Sequence, residues 1–429
     1  MRMVGEVRDT VHKYINFSEV ERQVMDTPHV QRLRRIKQLS FAELTYPGAD
    51  YSRFPHSLGV MHLAGKMAEV LLSAAAIDKD DVQKVRIAAL LHDSGHGPFS
   101  HMYEELLTTK RDKTHEDLTK WIVVKSSIAD VLASNGYDPK EVSELALGKS
   151  PSANPLLNQI VSGYFDADVM DYLVRDSLHT GVEYGHIDTQ RLIDSLVPIE
   201  GTLAVDSTSL YALESFYFAR YMMFKAVYFH KTVRAAGVMV ARAMYLADDS
   251  LGLTELKNVD EFVDLDDQHV VQLITNSRDN SGNMRKAKEL IGRLRSRNLF
   301  KTAFEAFMYH DNKAMSGLVA NPRVRGELEK EIAKDAGVDR DLVVLDLSSV
   351  PSLPYRPVYE EKAGIVIPVA FRDDGLSMRS LYDVSEVARG LKGFVDIVRV
   401  YTASEARSAV AAAAKKTFGE QPPSLRVSF

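Results

Sequence analysis

Residues 89–107 read ALLHDSGHGPFSHMYEELL, and this stretch decides the fold of the chain. Its first residues, 89–91, are typical of the buried end of a helix. His92 and Asp93 follow at once, and on a regular helix their side chains would point about 100° apart. The glycines and the proline of residues 95–98 predict a break just after this pair. The pattern indicates a helix end that carries titratable groups beside the protein core.

The composition limits the chemistry that the chain can use. Hydrophobic residues make up 45% and charged residues 26% of its 429 residues, which is typical of a globular protein with one large domain and a smaller appendage. The formal net charge of −6 gives no basic field, so composition does not favour nucleic-acid binding, although it does not exclude it. No cysteine occurs, so a metal site must use His, Asp, Glu and water.

The sequence predicts no membrane segment. No run of 18 apolar residues appears, and the N-terminal MRMVGEVRDTVHKY lacks the apolar core of a secretion signal. We therefore expect a cytoplasmic protein without a membrane partner.

Periodicity predicts a mainly α fold in two unequal parts. Helical patterns dominate residues 1–340, which we assign to the larger domain, with its core motifs in residues 50–180. The runs LVVLDL, GIVIPVAF and FVDIVRVYT, with a helical segment near 380–391, predict a small α+β lobe in residues 341–429. This lobe would end in a helix, SEARSAVAAAAKKTFG, and the tail EQPPSLRVSF.

Several helices within the larger domain have recognisable limits. Thr114, followed three residues later by Asp117, predicts a capping-box start. The acidic residues that open DKDDVQKVRIAALLHD suit a helix N-terminus. Residues 154–178 and 209–249 are typical of two long, partly buried helices.

Two other segments supply further ligand-type side chains. His56 stands where a loop rich in proline and glycine passes into a helix, and Asp168 lies within a predicted helix. The residues at i+3, i+4, i+7 and i+8 from Asp168 would share its helical face. They are Asp171, Tyr172, Arg175 and Asp176. A polar face is also typical of an ordinary solvated helix, so this helix alone leaves both interpretations open.

Together these motifs resemble those of a known enzyme family. HSLGV, LLHDSGHGPFSH, THE and FDADVMDYLVRD resemble the HD-domain metal-dependent phosphohydrolases. RLRRIKQL, YPGADYSRFPHSLGV and HDSGHGPFSHM are most similar to its deoxynucleoside triphosphate triphosphohydrolase branch, which includes the human sterile-alpha-motif/HD-domain dNTPase and bacterial dGTPases. The resemblance runs from about residue 8 to 301, roughly two thirds of the chain, and implies an HD-domain helical core.

The resemblance implies one divalent metal per active site. Its ligands would be His56, His92, Asp93 and Asp168. Fe, Mn, Zn, Ni and Mg all suit imidazole and carboxylate ligands. The metal would orient the α-phosphate and acidify a water molecule.

The resemblance also implies a set of catalytic histidines. His115 matches the general acid that protonates the departing 5′-oxygen. Glu104 stands where the family has an aspartate that pairs with this histidine, so its longer side chain changes the geometry. His96 and His101 match pocket histidines near the phosphates, although a purely structural role is an equal alternative for His101.

The substrate implied by the resemblance is a dNTP. Arg53 and Arg220 match the family's phosphate contacts. On the sugar and base side, Asp176 would accept the 3′-OH and an aromatic wall would reject ribonucleotides. The residues that match this side are Tyr172, Asp176, Gln38, Leu39 and Tyr228. Val169 departs from the family, whose vertebrate members have a lysine there that touches the triphosphate.

A regulatory site is implied as well. Residues that match the family's guanine-nucleotide activator site, at a subunit interface, are Asp26, Gln31, Arg34, Arg297 and Lys301. We therefore expect a homo-oligomer, a dimer or tetramer, with GTP or dNTP as activator and Mg accompanying the nucleotide. Ordinary basic helix faces are the alternative interpretation.

A second activator site matches less well. Asp188, Arg191 and His230 fit the family pattern. Asp206, Thr208 and Ala212 replace the Arg, Lys and Asn of vertebrate members. The sequence thus predicts altered activation, or no second activator.

The expected reaction is hydrolysis of a dNTP to deoxynucleoside and inorganic triphosphate. The residues alone indicate metal-assisted phosphoester or anhydride hydrolysis, and the choice of bond comes from the resemblance. Two alternatives stay open: another HD-type nucleotidase or phosphodiesterase, and a nucleotide-sensing or nucleic-acid-binding protein.

Overall fold

The computed structural model describes most of the chain. The described residues are 1–308, 319, 321–351, 367–373, 375–391 and 394–419. Helices dominate them, and a smaller α+β region lies toward the C-terminus, which confirms the predicted fold class. In the described part of the chain no helix is both long and apolar enough to cross a bilayer.

The helices are numbered here in chain order. They are α1 (Glu19–Met25), α2 (Pro28–Gln31), α3 (Arg53–Ser73), α4 (Lys79–Leu91), α5 (His101–Arg111), α6 (His115–Lys125), α7 (Ser127–Ser134), α8 (Pro139–Ala146), α9 (Pro155–Val161), α10 (Ala167–Thr180), α11 (Thr189–Asp194), α12 (Leu210–Met223), α13 (Lys231–Leu251), α14 (Glu261–Asp264), α15 (Asp267–Asn276), α16 (Gly282–Arg295), α17 (Pro322–Ala336), α18 (Leu381–Val384), α19 (Glu386–Leu391) and α20 (Arg407–Phe418).

Within the described ranges the strands form three small sheets. They are β1 (Met3–Asp9), β2 (Lys13–Ser18), β3 (Leu196–Ile199), β4 (Thr202–Asp206), β5 (Lys301–Met308), β6 (Val343–Pro351), β7 (Pro368–Phe371), β8 (Ser377–Ser380) and β9 (Phe394–Thr402). The sheets have the orders β1-β2, β3-β4-β7-β8 and β5-β9-β6, and β4 and β7 pair in parallel, whereas the other pairs are antiparallel.

Three helices build the centre of the larger domain. Helix α3 lies between α4 and α10 and is buried on nearly all sides. Glycine allows this close contact at Gly59, where a Cβ atom would lie 1.8 Å from Oδ1 of Asp171 on α10. Because the three helices meet so closely, polar groups near their ends are brought together inside the domain.

The predicted break after α4 is confirmed. Helix α4 ends at Leu91, and α5 begins at His101 after a turn-rich connection. Phe99 and Ser100 have φ values of 56° and 55°, a left-handed conformation that non-glycine residues rarely adopt. The predicted capping box of Thr114 and Asp117 is also present at the start of α6.

Two predictions of local structure are wrong. Residues 154–178 form α9 and α10 rather than one helix, since Asp166 caps a new helix with its side chain on Val169 N–H. Residues 209–249 are divided by a π-helical turn, Phe224–Tyr228, that ends before α13. The N-terminal residues form the β1–β2 hairpin, for which the sequence predicts no strand.

The hairpin has a simple physical origin. Side chains of β1 alternate in burial, which suits a strand with one covered face, and Asp9 stabilises the turn by accepting from two backbone N–H groups. The alternation is short and carries charged residues, so the sequence signal for a strand is weak.

The C-terminal sheet confirms strands at LVVLDL and FVDIVRVYT. Helices α17 and α20 pack against the β5-β9-β6 sheet around a small core of their own. The first strand of this sheet, β5, precedes the expected domain boundary at residue 340, and that boundary stays a prediction. Strand β7 contains the end of GIVIPVAF, whereas residues 364–366 and the tail 420–429 lie outside the described residues.

Candidate metal centre and active site

Four predicted ligands come together where α3, α4 and α10 meet. The ligand atoms of His56, His92 and Asp93 all lie within 4.8 Å of one another. Asp168 Oδ1 lies 3.1 Å from His56 Nε2 and 3.7 Å from His92 Nε2. The four side chains thus surround one small volume.

Hydrogen bonds leave the same nitrogen of both rings available to a metal. His92 Nδ1 lies 2.8 Å from the carbonyl oxygen of Ala89, and His56 Nδ1 lies 2.8 Å from Asp171 Oδ2. With Nδ1 donating in each ring, Nε2 carries the lone pair. Among the described residues, buried His92 Nε2 finds no hydrogen-bond partner, so this donor set fits a divalent metal.

Asp93 is held as a carboxylate. Arg53, only 4% exposed, donates to Asp93 Oδ2 at 2.5 Å and to Ser100 Oγ at 2.9 Å. Burial opposes ionisation, but Arg53, His92 and His96 keep the pKa of Asp93 well below its usual range. This partner also means that Arg53, predicted as a phosphate contact, is already engaged within the site.

The centre favours a positive charge between its carboxylates. Burial lowers the pKa of His56, yet Asp168 and Asp171 outweigh it and raise this pKa to about 10. The pKa of Asp168 is lowered by His56 and His92 despite burial. A cation held here would meet the same attraction.

A second cluster joins the starts of α5 and α6. His115 Nδ1 lies 2.5 Å from Glu104 Oε1, and Glu104 Oε2 lies 3.2 Å from His101 Nδ1. Burial raises the pKa of Glu104, but the bonds from His101 and His115 lower it overall. The longer side chain at this position therefore reaches His115.

His96 connects the two clusters. Its ring stacks on that of His115, with centroids 4.3 Å apart, and its Nε2 lies 3.3 Å from Asp93 Oδ1. Burial and the charges of Arg53 and His115 hold the pKa of His96 well below its usual range. The ring is therefore neutral at physiological pH, while the exposed His101 lies at the rim.

Three tyrosines form an aromatic group beside Asp176, the residue that is predicted to contact the sugar. They are Tyr51, Tyr172 and Tyr228. Asp176 accepts hydrogen bonds from Tyr51 Oη and, at 2.6 Å, from Tyr228 Oη. Burial raises the pKa of Asp176 to about 6 against the effect of these donors. Tyr172 meets the ring of Tyr228 edge-on and is hydrogen-bonded to Arg220.

The loop before α3 contributes the remaining predicted substrate residues. Gln38 donates its backbone N–H to the carbonyl oxygen of Tyr51, while its side-chain Oε1 is buried without a hydrogen-bond partner. Leu39 is half-buried next to it, and Val169 lies half-buried on α10.

Sequence reasoning missed part of this site. Asp171 shares the predicted helical face of Asp168, and its i+3 spacing from Asp168 is the signal that could have indicated a role in the site. Tyr51 gave no signal beyond its position before His56. His12 lies far away in sequence, and nothing in its neighbours indicated that it reaches Asp171.

The residues that are predicted to bind a guanine nucleotide lie at the protein surface. Asp26 is paired with Arg22, and Gln31 accepts from Arg34 Nε at 2.8 Å. Arg34 stacks over Phe54 beside a cleft of about 490 Å³. Arg297 donates to a backbone carbonyl in the loop before α3, and the exposed Lys301 begins β5. Their regulatory role stays a prediction.

The second predicted activator region has internal partners. Arg191 donates to the carbonyl oxygen of Thr208, and Asp206 pairs with Arg372 at 3.0 Å. Asp188 and His230 cap α11 and α13. Ala212 lies half-buried in α12.

Comparison with known proteins agrees with the geometry. A family model for the HD domain matches residues 53–176, and one for the HD associated region matches residues 187–427. The Bacillus subtilis "Uncharacterized protein YwfO" is 31% identical over 408 residues, which cover 90% of this chain and 89% of the relative. The Dictyostelium discoideum "Deoxynucleoside triphosphate triphosphohydrolase SAMHD1 homolog" is 30% identical, over 80% of this chain and 67% of that protein.

A solved structure shows the same fold. The crystal structure of a hypothetical protein from Aquifex aeolicus matches with a TM-score of 0.76 and 29% identity, over 96% of this chain and 100% of that one. HD-domain proteins are typically metal-dependent phosphohydrolases, and the His56, His92 and Asp93 group has the ligands that such a centre requires. The chain belongs to the HD-domain family and joins an HD domain to an HD associated region.

Proposed function

We propose that the protein hydrolyses dNTPs to deoxynucleoside and inorganic triphosphate. The observation that carries the proposal is that His96 joins the candidate metal group of His56, His92 and Asp93, with Asp168 beside it, to the His115–Glu104 pair. The similarity to the Dictyostelium triphosphohydrolase homolog supports the choice of substrate.

The metal centre would be held by His56, His92, Asp93 and Asp168. When bound, a divalent ion supplies Lewis-acid polarisation of the α-phosphate and lowers the pKa of a water molecule. Arg53 keeps Asp93 ionised, and Asp171 keeps His56 in one tautomer, so both ligands are prepared in advance.

His115 would be the general acid. Its Nδ1 is bonded to Glu104, so Nε2 is the atom that delivers a proton to the 5′-oxygen as that oxygen leaves phosphorus. The oxygen of the attacking water then remains on the α-phosphorus of the released triphosphate. The neutral ring of His96 would act beside this step as a positioning group stacked on His115.

The aromatic group would select deoxyribose. Tyr228 and Tyr172 would form a wall, and Asp176 would accept the sugar 3′-OH beside the hydroxyls of Tyr51 and Tyr228. Arg53, Arg220 and the rim residue His101 would contact phosphates, and Gln38 and Leu39 would contact the base and sugar. The chain has no lysine at position 169, which weakens one phosphate contact.

Regulation and assembly form a separate part of the proposal. Asp26, Gln31, Arg34, Arg297 and Lys301 would bind GTP with Mg²⁺ between subunits of a dimer or tetramer, and this would shift the population toward an active assembly. At the second activator site, Asp206 replaces a basic residue of vertebrate members and is already paired with Arg372, which supports altered activation.

A dNTP panel with and without GTP tests the activity. Metal-loaded protein should release triphosphate and deoxynucleoside in equal amounts, and His115→Ala should abolish turnover. His186→Ala, which removes an exposed histidine outside the site, is the matched control. Intact dNTPs under all conditions would contradict the proposal.

A second candidate is another HD-type nucleotidase or phosphodiesterase. The observation that favours it is Val169, which supplies no cation for a triphosphate. Release of phosphate or a nucleoside monophosphate in the same panel would support this candidate instead.

A further inference from the structure

The N-terminal hairpin reaches Asp171, the partner of the candidate ligand His56, through His12. His12 lies in the turn between β1 and β2, and its Nε2 is 2.6 Å from Asp171 Oδ1. The side chain of His12 is 10% exposed and that of Asp171 is 0% exposed. His12, more than 150 positions away in sequence, thus reaches a fully buried carboxylate on α10.

Asp171 has a full set of hydrogen bonds. Its Oδ2 accepts from His56 Nδ1 and from Arg175 Nε, both at 2.8 Å. Its Oδ1 lies 2.6 Å from His12 Nε2 and accepts from Arg175 Nη2 at 3.0 Å. A carboxylate has about four acceptor sites, so all are used and the group cannot rotate without losing a bond.

The hairpin turn is fixed by the same network. Asp9 accepts from the backbone N–H groups of Val11 and His12, which sets the turn, and it also accepts from Arg175 Nη1 at 2.8 Å. Arg175 therefore holds Asp9 and Asp171 together. The position of His12 is determined by the same arginine that orients Asp171.

We propose that His12 and Asp171 are positioning residues for His56, which makes the N-terminal hairpin a functional part of the metal centre. Asp171 accepts from Nδ1 of His56, which fixes the ring and leaves Nε2 as the metal-binding atom, and His12 holds Asp171 in that orientation. The inference rests on the proposed role of His56 as a metal ligand, and it concerns metal binding independently of the substrate.

The test compares three full-length variants. His12→Phe keeps a ring against His62, whose centroid is 5.1 Å from that of His12, but removes the donor to Asp171. His12→Gln restores an N–H donor of similar reach. Tyr14→Phe is the matched control, because it also removes a polar group and keeps a ring on the same hairpin, at a 48% exposed position.

Metal-stripped proteins are titrated with Mn²⁺ by calorimetry, and their Co²⁺ complexes are compared by visible absorption. We expect His12→Phe to weaken Mn²⁺ binding about tenfold and to change the Co²⁺ spectrum. We expect His12→Gln to recover most of the affinity and Tyr14→Phe to match the wild type. The melting temperatures of the metal-free proteins should be similar, which separates positioning from a general loss of stability.

Two results would overturn the inference in distinguishable ways. Equal Mn²⁺ affinity of wild type and His12→Phe would contradict the role of His12 while leaving the metal centre intact. Failure of the wild type to bind Mn²⁺ or Co²⁺ would contradict the metal centre itself. If the melting temperature of His12→Phe is well below that of Tyr14→Phe, the Mn²⁺ affinity of His12→Gln is the deciding measurement. An affinity of His12→Gln as weak as that of His12→Phe would also overturn the inference.

Discussion

Glu104 accepts a hydrogen bond from Nδ1 of His115 at 2.5 Å and a second from the backbone N–H of His115 at 3.3 Å. One carboxylate thus orients both the ring and the first turn of α6. The ring cannot turn without breaking the side-chain bond, so Nε2 keeps one direction. In the proposed mechanism, this relationship would direct the proton of His115 toward the leaving 5′-oxygen.

Replacing the Glu104 charge should slow catalysis. Glu104→Gln keeps the length but replaces the carboxylate that accepts from His115 Nδ1 with an amide, which no longer fixes the direction of the ring, so we expect kcat to fall about 100-fold with little change in KM. Steady-state kinetics with dGTP measure this. Glu105→Gln is the control, since this neighbouring carboxylate pairs with Arg325 instead. Equal kcat values for both variants would contradict the role of Glu104.

A side chain at position 59 should destabilise the folded protein. A Cβ atom there would lie 1.8 Å from Asp171 Oδ1, so Gly59→Ala must displace a buried carboxylate or separate α3 from α10. We expect a loss of about 1–3 kcal/mol in the free energy of unfolding. Chemical denaturation measures this against Gly292→Ala in α16, which meets nothing within 4 Å and should be neutral or stabilising. Similar effects in both would contradict the close packing.

Asp267 should give a pH-dependent stability with a defined sign. Burial raises its pKa from 3.8 to about 6. The folded state therefore keeps a proton that the unfolded state releases, and stability falls as pH rises from about 4 to about 6. At about 1.4 kcal/mol per pKa unit, the change is roughly 3 kcal/mol.

The measurement is the difference in unfolding free energy between wild type and Asp267→Asn. The unfolding free energy of wild type minus that of Asp267→Asn should decline as pH rises from 4 to 6 and stay constant above about 6. The titration of all other groups cancels in this difference. A difference that is constant across this range would show that Asp267 titrates normally.

Tyr228 should control discrimination against ribonucleotides. Tyr228→Phe keeps the aromatic ring that is proposed to exclude a 2′-OH, although it removes one donor to Asp176. Tyr228→Ala opens the wall. We expect the ratio of kcat/KM for dGTP over GTP to be retained in Tyr228→Phe and to fall at least about tenfold in Tyr228→Ala. A ratio unchanged in Tyr228→Ala would assign the selection to other residues.

The sequence predicts the centre of the site better than its surroundings. The His92–Asp93 pair and the break after it follow from apolar periodicity and from glycine and proline, both of which act locally. The family motifs then add His56, Asp168 and His115. Their meeting depends on helix packing, which Gly59 permits and which no local pattern displays.

The outer part of the network depends on tertiary structure. His12 stands in a short hairpin whose strands alternate weakly, and its partner Asp171 is distant in sequence. The breaks near Asp166 and at Phe224–Tyr228 were missed for a similar reason, since no proline or glycine lies within the second one. Packing against other elements overrides local preference at such positions.

The most direct test of the central claim is the hydrolysis of dGTP in ¹⁸O-labelled water, followed by ³¹P NMR and mass spectrometry of the products. The account predicts deoxyguanosine without label and inorganic triphosphate with one ¹⁸O atom on the phosphorus that was α. His92→Ala/Asp93→Ala protein should give no product. Release of orthophosphate, pyrophosphate or dGMP, or label in deoxyguanosine, would contradict the proposed triphosphohydrolase mechanism.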